Sequence, residues 1–417
     1  MRYKKLYPAV ICFCVFLAAI GLVLGDPSTV LPGLWKIIVT EDALITDYVK
    51  IAGVSAALVN SALVTLVSLL LLYLSKEPPN GFTLVELGLM AGFSLFGKNI
   101  VNIWPIIAGT FLYAKARREP FGKYVSVSLL ATALAPVVSY VALDNGFGNL
   151  WWGIAVGLLI GFVLPPLCTH VHYAHQGYSL YNVGFGAGII ATVVVSLAKS
   201  FGIKVESRLI WSVGNNTLFA VLLMSLFGCM IASAVAVRGK TILESYRRIL
   251  RTSGIGGTDY LKDEGGATTV FNMGVNGLFA TLFVLAVKGD LNGPTICGIF
   301  TIVGFSSTGK HLRNIAPIMF GVYLASFTKT WAINQPSPIL ALLFSTTLAP
   351  VAGRFGPVAG IIAGYLHSSV ALNVGIVYGG MNLYNNGFAG GIVAIFLVPV
   401  VQSISDRRAR ARGELSL

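Results

Sequence analysis

An all-α, polytopic membrane fold built from two related halves is what this sequence predicts, on three observations. Apolar runs near the length of a membrane-crossing helix recur from one end of the chain to the other. Charged residues make up only 11% of it and hydrophobic ones 55%, whereas a soluble domain carries about a quarter charged residues. Shifted by 212 residues, the sequence matches itself at polar positions that shared apolar composition does not explain.

The runs are continuous rather than alternating, and each approaches the roughly 17–25 residues a spanning helix requires. Without water to bond to, the backbone is satisfied only in helices or closed barrels, and unbroken apolar runs select helices. Spans are predicted near 6–25, 50–75, 123–143, 150–168, 178–198, 213–238, 272–288, 338–352, 356–373 and 383–404. The first follows a basic start, as a signal peptide would. It lacks a convincing small-residue cleavage site followed by a soluble domain, so a retained helix is expected. Two further stretches, 82–114 and 294–326, are interrupted mid-way by a glycine and a lysine. Each side of the break has only about 16 residues, short for a full span. Each stretch is therefore either two short spans or one re-entrant helical hairpin with an interrupted tip, for about 12–14 membrane segments in all.

The net charge of +13 is not a nucleic-acid footprint. Its cations sit in short clusters between apolar runs: Arg2, Lys4 and Lys5; Lys115, Arg117, Arg118 and Lys123; Arg238 to Arg251; Arg407 to Arg412. That is the pattern that orients membrane helices with positive loops inside. Walking the spans from a cytoplasmic N-terminus brings every cluster, and the C-terminus, to the cytoplasmic side. Cys12, Cys14, Cys168, Cys229 and Cys297 lie in apolar segments without paired loop spacing and read as small core residues. The expected organisation is an N-terminal helix and loop (1–49), a first membrane repeat (50–198), a linking helix and basic, Gly-rich cytoplasmic loop (199–271), a second repeat (272–405) and a basic tail (406–417).

The repeat is the most specific signal. Asn60 meets Asn272, Lys76 meets Lys288, and Asn80-Gly81 meets Asn292-Gly293. Gly92-Phe93-Ser94 meets Gly304-Phe305-Ser306, Gly97-Lys98 meets Gly309-Lys310, Asn102-Ile103 meets Asn314-Ile315, and Pro105-Ile106 meets Pro317-Ile318. Eighteen of the fifty-five positions in 60–114 are identical to their counterparts. With small gaps the match continues: Leu134 to Val137 with Leu348 to Val351, and the Tyr181-Asn182 segment with Tyr384-Asn385. The charge walk runs Asn60 inward and Asn272 outward, leaving 213–238 unpaired between the halves, so the repeats are expected to be inverted. Inverted repeats with broken helices are a transporter signature, with the solute near the midplane where the halves meet.

Several motifs bear on that site. Gly92 to Lys98 and Gly304 to Lys310 formally fit most of a phosphate-binding loop. Asn99 and His311 stand where the magnesium-binding Ser or Thr belongs, and membrane segments flank them, which excludes an ATPase. The break itself is the better candidate. Freed amides at a half-helix start carry partial positive charge. Lys98 and Lys310 add full charges, and Ser94, Ser306, Asn102 and Asn314 add hydrogen-bonding groups, a constellation suited to an anionic or carbonyl-bearing solute. The competing reading is that the segments span fully and the lysines snorkel to the interface. Asn182 and Asn385 either line a pathway or bond between helices. Glu86, whose counterpart is Gly298, is a candidate for proton or cation coupling, or lies near the membrane surface. His170, His172 and His175 could hold a metal by spacing, but an interfacial loop is the expected placement, and no metal or cofactor is assigned.

The blocks G-F-S-x-x-G-K-x-x-x-N-I-x-P-I and L-Y-N-x-G-F-x-x-G-I resemble a family of bacterial membrane proteins catalogued as a domain of unknown function. The likeness covers nearly the whole chain and implies a multi-pass protein of the bacterial plasma membrane, with no established substrate. The architecture is similar to that of elevator-type carriers, an analogy of form alone, and the Asn-Gly-rich segments look similar to urea-channel repeats. The expectation is a non-enzymatic secondary transporter moving a small polar, anionic solute by alternating access. The alternatives are a channel-like facilitator for a small neutral solute and an intramembrane enzyme using the His cluster. The partners implied are a small-molecule solute and the lipid bilayer, with room for a homo-oligomer and none for nucleic acid.

Overall fold

The computed structural model describes residues 6–24, 26–143 and 148–411, with Arg408 and Ala411 described by their backbone alone. The basic cluster Arg2 to Lys5 and Arg412 of the tail lie outside the described residues. The described chain is helical throughout. Its first half comprises α1 (Leu6–Leu24), α2 (Val30–Ile38), α3 (Tyr48–Leu74), α4 (Gly81–Phe93), α5 (Trp104–Ala116), α6 (Gly122–Ala131), α7 (Ala135–Leu143), α8 (Leu150–His175) and α9 (Asn182–Ser200). The second comprises α10 (Asn216–Arg238), α11 (Ile242–Ile249), α12 (Tyr260–Asp263), α13 (Gly266–Ala286), α14 (Gly293–Phe305), α15 (Leu312–Ala325), α16 (Pro336–Phe344), α17 (Ala349–Phe355), α18 (Pro357–Val374) and α19 (Asn385–Ala411). The one extended pairing among the described residues is an isolated parallel bridge between Thr46 and Ile210.

Ten of these helical stretches are long and apolar enough to cross a membrane, the mark of a multi-pass membrane protein. The distribution of polarity agrees. Val23, Leu31, Trp151, Phe201 and Val237 stand exposed, while Asn60, Ser61, Thr65, Ser68, Asn272 and Asn276 are buried. A soluble protein hides its large apolar side chains, and one in lipid has no need to.

Local chemistry explains where helices begin and end. Asn80 and Asn292 each close a capping box, the side chain accepting from the amide of Thr83 or Thr295 and the backbone amide donating to that threonine's hydroxyl. Lys76 and Lys288 take φ of 60° and 58° just past α3 and α13 and stop both helices alike. Gly53 and Gly265, 212 positions apart, adopt φ/ψ of 81°/166° and 82°/165°, a left-handed, extended pair that a side chain resists. At the same point of the repeat, Gly53 kinks α3 after its first turn and Gly265 bends the chain just before α13.

The repeat is larger than the sequence suggested. Segment 213–238 has a partner after all: α10 packs on α13 through Phe227 and Gly274 as α1 packs on α3 through Gly21 and Ser55. Shifted by 212, α1 falls on α10 and α2 on α11. Apolar identity along these smooth helices was too generic to register. The sequence also ended the helix before the histidines at 168, whereas α8 runs through them to His175.

The segment from α4 to α5 turns back on itself. Gly122, just beyond α5, has the Ser75 carbonyl and the Glu77 side chain against it, and these lie where α3 ends and α4 begins. Between the two helices, residues 94–103 lie beside the middle of α3, where Asn60 and Ser61 reach Ser94 and Ala91. In the second half Gly289, after α13, likewise meets Ile339 of α16. Helices α4 and α14 pack side by side in opposite directions, so that Gly81 meets Ser307 and Gly293 meets Leu95. Across the same centre α9 and α19 cross at their first turns, where Gly184 and Gly387 touch backbone to backbone and leave no space for a Cβ.

Candidate functional site

Each break is fastened by the asparagine repeated before it. The Asn60 amide donates to the carbonyls of Ser94 (2.7 Å) and Lys98 (2.9 Å). Asn272 does the same to Ser306 (2.7 Å) and Lys310 (2.8 Å). These carbonyls lose their helical partners at the break, and a buried carbonyl left alone is costly. Asn102 and Asn314 close the far side. Their amides donate to the carbonyls of Gly97 (3.1 Å) and Gly309 (2.9 Å). Their side-chain oxygens accept from the amides of Asn99 and His311, both at 2.9 Å. Ser94 and Ser306 donate back to Met90 and Ile302 one turn earlier. Four of the sequence-predicted site residues thus hold the break open in a fixed shape.

The lysines project from these breaks into the interior, both fully buried, and each crosses to the opposite half. Lys98 Nζ donates to the hydroxyl of Tyr384 at 2.8 Å, lies 3.4 Å from Met90 Sδ, and sits over the rings of Tyr384 and Phe93. Lys310 Nζ donates to the hydroxyl of Tyr181 and to Thr346 Oγ1 at 2.8 Å, over the rings of Tyr181 and Phe305. Neither has a carboxylate within ion-pair distance among the described residues. The snorkelling alternative, which takes the ammonium groups to the interface, does not describe either side chain. The crossing of α9 over α19 sets this exchange, because it brings Tyr181 and Tyr384, each just ahead of its helix, back toward the other half's break.

The sequence favoured the asparagines beside these tyrosines. Asn182 donates to the Cys168 carbonyl (3.0 Å) and meets His175 Nε2 (2.9 Å). Asn385 donates to the Ala371 carbonyl (3.0 Å) and accepts from Tyr378. Both amides tie the helix they start to the helix before it, the interhelical role open to such residues. The signal was in the repeated Tyr-Asn pair, and the tyrosine is the member that meets the lysine. His170, His172 and His175 lie on the last turns of α8, not in a loop, and no group of three or more metal-ligating side chains gathers among the described residues.

A further acid was missed. Asp42, fully buried in the loop between α2 and α3, accepts from Tyr48 (2.6 Å), Asn102 (2.8 Å) and Ser139 (2.6 Å) and covers the first break. It has no repeated counterpart, since position 254 is glycine, so the repeat could not flag it. Glu86 lies in the middle of α4, buried, with Oε2 lacking any partner.

Residues 26–200 and 238–403 match the family described as Protein of unknown function (DUF1576). The chain belongs to this family. Its two matched stretches begin 212 residues apart (238 − 26), the offset of the internal repeat. No curated protein and no solved structure matches the chain.

Proposed function

We propose that this DUF1576 protein is a secondary transporter of a small polar, anionic solute in the bacterial plasma membrane, working by alternating access at a site between inverted halves. The observation that carries the reading is the pair of fully buried lysines, each held by a tyrosine of the opposite half without a carboxylate partner. Burying a charge unpaired is costly, and intramembrane ionisable groups are retained where they act on a solute or ion. An anion entering between the breaks supplies the missing countercharge. The half-helix starts at Trp104 and Leu312 add backbone amides.

Inversion is supported by parity. Each half carries five long apolar stretches (α1, α3, α6–α7, α8 and α9 in the first) and one segment that returns to the level it left. An odd number of crossings starts the second half from the opposite side. The segments 82–114 and 294–326 are accordingly read as re-entrant hairpins. The positive-inside pattern puts Lys115 to Lys123 and Arg238 to Arg251 in the cytoplasm. Because each lysine binds across the interface, sliding one half against the other must exchange its partners, which couples solute binding to the conformational change.

The test is a thermal-stability screen of the purified protein against small carboxylates, phosphate, sulfate and urea, repeated on Lys98→Ala and Lys310→Ala. An anion that raises the melting temperature of the wild type and of neither variant is the expected result. Equal stabilisation of all three proteins, or stabilisation by urea alone, sinks the anion site.

A further inference from the structure

Beside Glu86 a cavity of about 340 Å³ opens between α1, α4 and α6, lined by Tyr7, Glu77, Asn80, Thr83, Lys123 and Ser126 among others. Its rim, at Glu77 and Lys123, is exposed, so it leads from the surface bearing the α3–α4 and α5–α6 turns to the carboxyl group. Glu86 itself is 1% exposed, and Oε2 has no hydrogen-bond partner. We propose that Glu86 is a proton-binding site, loaded through this cavity from the Glu77–Lys123 face.

The surroundings argue for a proton rather than a metal cation or an ion pair. From α6, Lys123 is turned to Glu119 at 2.7 Å, and Tyr124 donates to the same carboxylate. From α1 comes Tyr7, packed edge-on to Tyr73 at the end of α3; from the turn before α4 comes Glu77. Neither α14 nor the part of α3 beside α4 carries a charged residue, and the thiol on α14, Cys297, lies against Gly92 more than a turn away. Asp259, ahead of α12, meets α4 only at the Gly81 amide. Among the described residues no cation therefore offsets a Glu86 carboxylate, and a buried charge without one is costly. A bound metal ion wants several oxygen ligands. Here the Thr83 hydroxyl and the Asn80 oxygen are committed to each other's backbone in the capping box. The Ser126 hydroxyl faces the carboxyl group, and the Tyr7 hydroxyl and the exposed Glu77 complete the polar lining, fewer oxygens than a metal ion's shell takes. A proton needs none of these ligands. The counterpart position in the second half is closed: a Cβ on Gly298 would meet Leu343 at 2.7 Å. One side of the molecule alone has the carboxyl group and the way to it.

Dicyclohexylcarbodiimide tests this, because it reacts with a protonated carboxyl group in an apolar setting. The acid's proton passes to one carbodiimide nitrogen and its oxygen bonds the central carbon; the acyl group then migrates to nitrogen, and the whole reagent stays attached as an acylurea. The full-length protein in detergent is labelled and the peptide containing Glu86 read by mass spectrometry. We expect one adduct at Glu86 at mildly acidic pH, falling several-fold at alkaline pH, unchanged by sodium and absent from Glu86→Gln. Ser126→Leu, which fills the cavity and keeps Glu86, should lose most of the labelling. No adduct on the wild type at acidic pH, or protection by sodium, overturns the proton site. Full labelling of Ser126→Leu overturns the route. The reaction needs no solute, so its outcome is separable from that of the anion screen.

Discussion

At the first break, Asn60 alone holds the carbonyls of Ser94 and Lys98, and the cover is made of side chains: Asp42, Tyr48 and Ser139 around Asn102. At the second, Asn272 is backed by Asn276, which donates to Ser306 Oγ at 2.7 Å. There the cover is main chain. Gly254, at φ 70°, packs on Gly309 and Asn314, His311 Nε2 meets the Thr252 carbonyl at 3.0 Å, and Gly353 lies against Ser253. The interior of the two breaks is conserved between the halves while the covers diverge. A side-chain cover can exchange partners one bond at a time, and a main-chain cover moves only as a segment. On the transport mechanism proposed above, that difference would let the two faces open by different steps.

Six substitutions probe this contrast, each read by unfolding of the purified protein in detergent. Asp42→Ala should cost most, about 3–4 kcal/mol, because it strips the acceptor from three buried donors at once. A loss below about 1 kcal/mol would show that the first cover does not depend on its carboxylate. Asn60→Ala follows at about 2–3 kcal/mol, from two buried carbonyls left unpaired, and Asn272→Ala should cost less because Asn276 remains within reach. Equal losses would remove the asymmetry. Tyr384→Phe should cost about 1.5–2 kcal/mol and Tyr181→Phe about 1 kcal/mol, since Lys310 keeps Thr346 whereas Lys98 keeps only a sulfur and two rings. The reverse order would mean that Thr346 does not support its lysine. Arg248→Ala, which removes an exposed pair with Glu264, should leave the melting temperature unchanged, as solvent screens such pairs. A clear fall would tie α11 to the core more firmly than its exposure implies.

Much of the break was readable in the chain because its parts are polar residues in an apolar sequence, repeated at one offset. Asn60, Lys98, Asn102 and their partners stood out for that reason. Tyr181 and Tyr384 were visible as a repeated pair but were passed over for the asparagines beside them. Sequence spacing does not tell which of two adjacent side chains faces the partner half. Asp42 and the kinship of α1 with α10 left no such mark, the first because it is unrepeated, the second because apolar helices share composition whether related or not.

By itself the sequence determined the helical class, the ten spans, the 212-residue repeat and the positions of both breaks, since bilayer thickness and backbone hydrogen bonding leave few other solutions. Only the tertiary structure decided that each lysine is met by the other half and that Glu86 faces a cavity. Those are contacts between residues as far as 286 positions apart, set by how helices cross, and local pattern carries no record of a crossing.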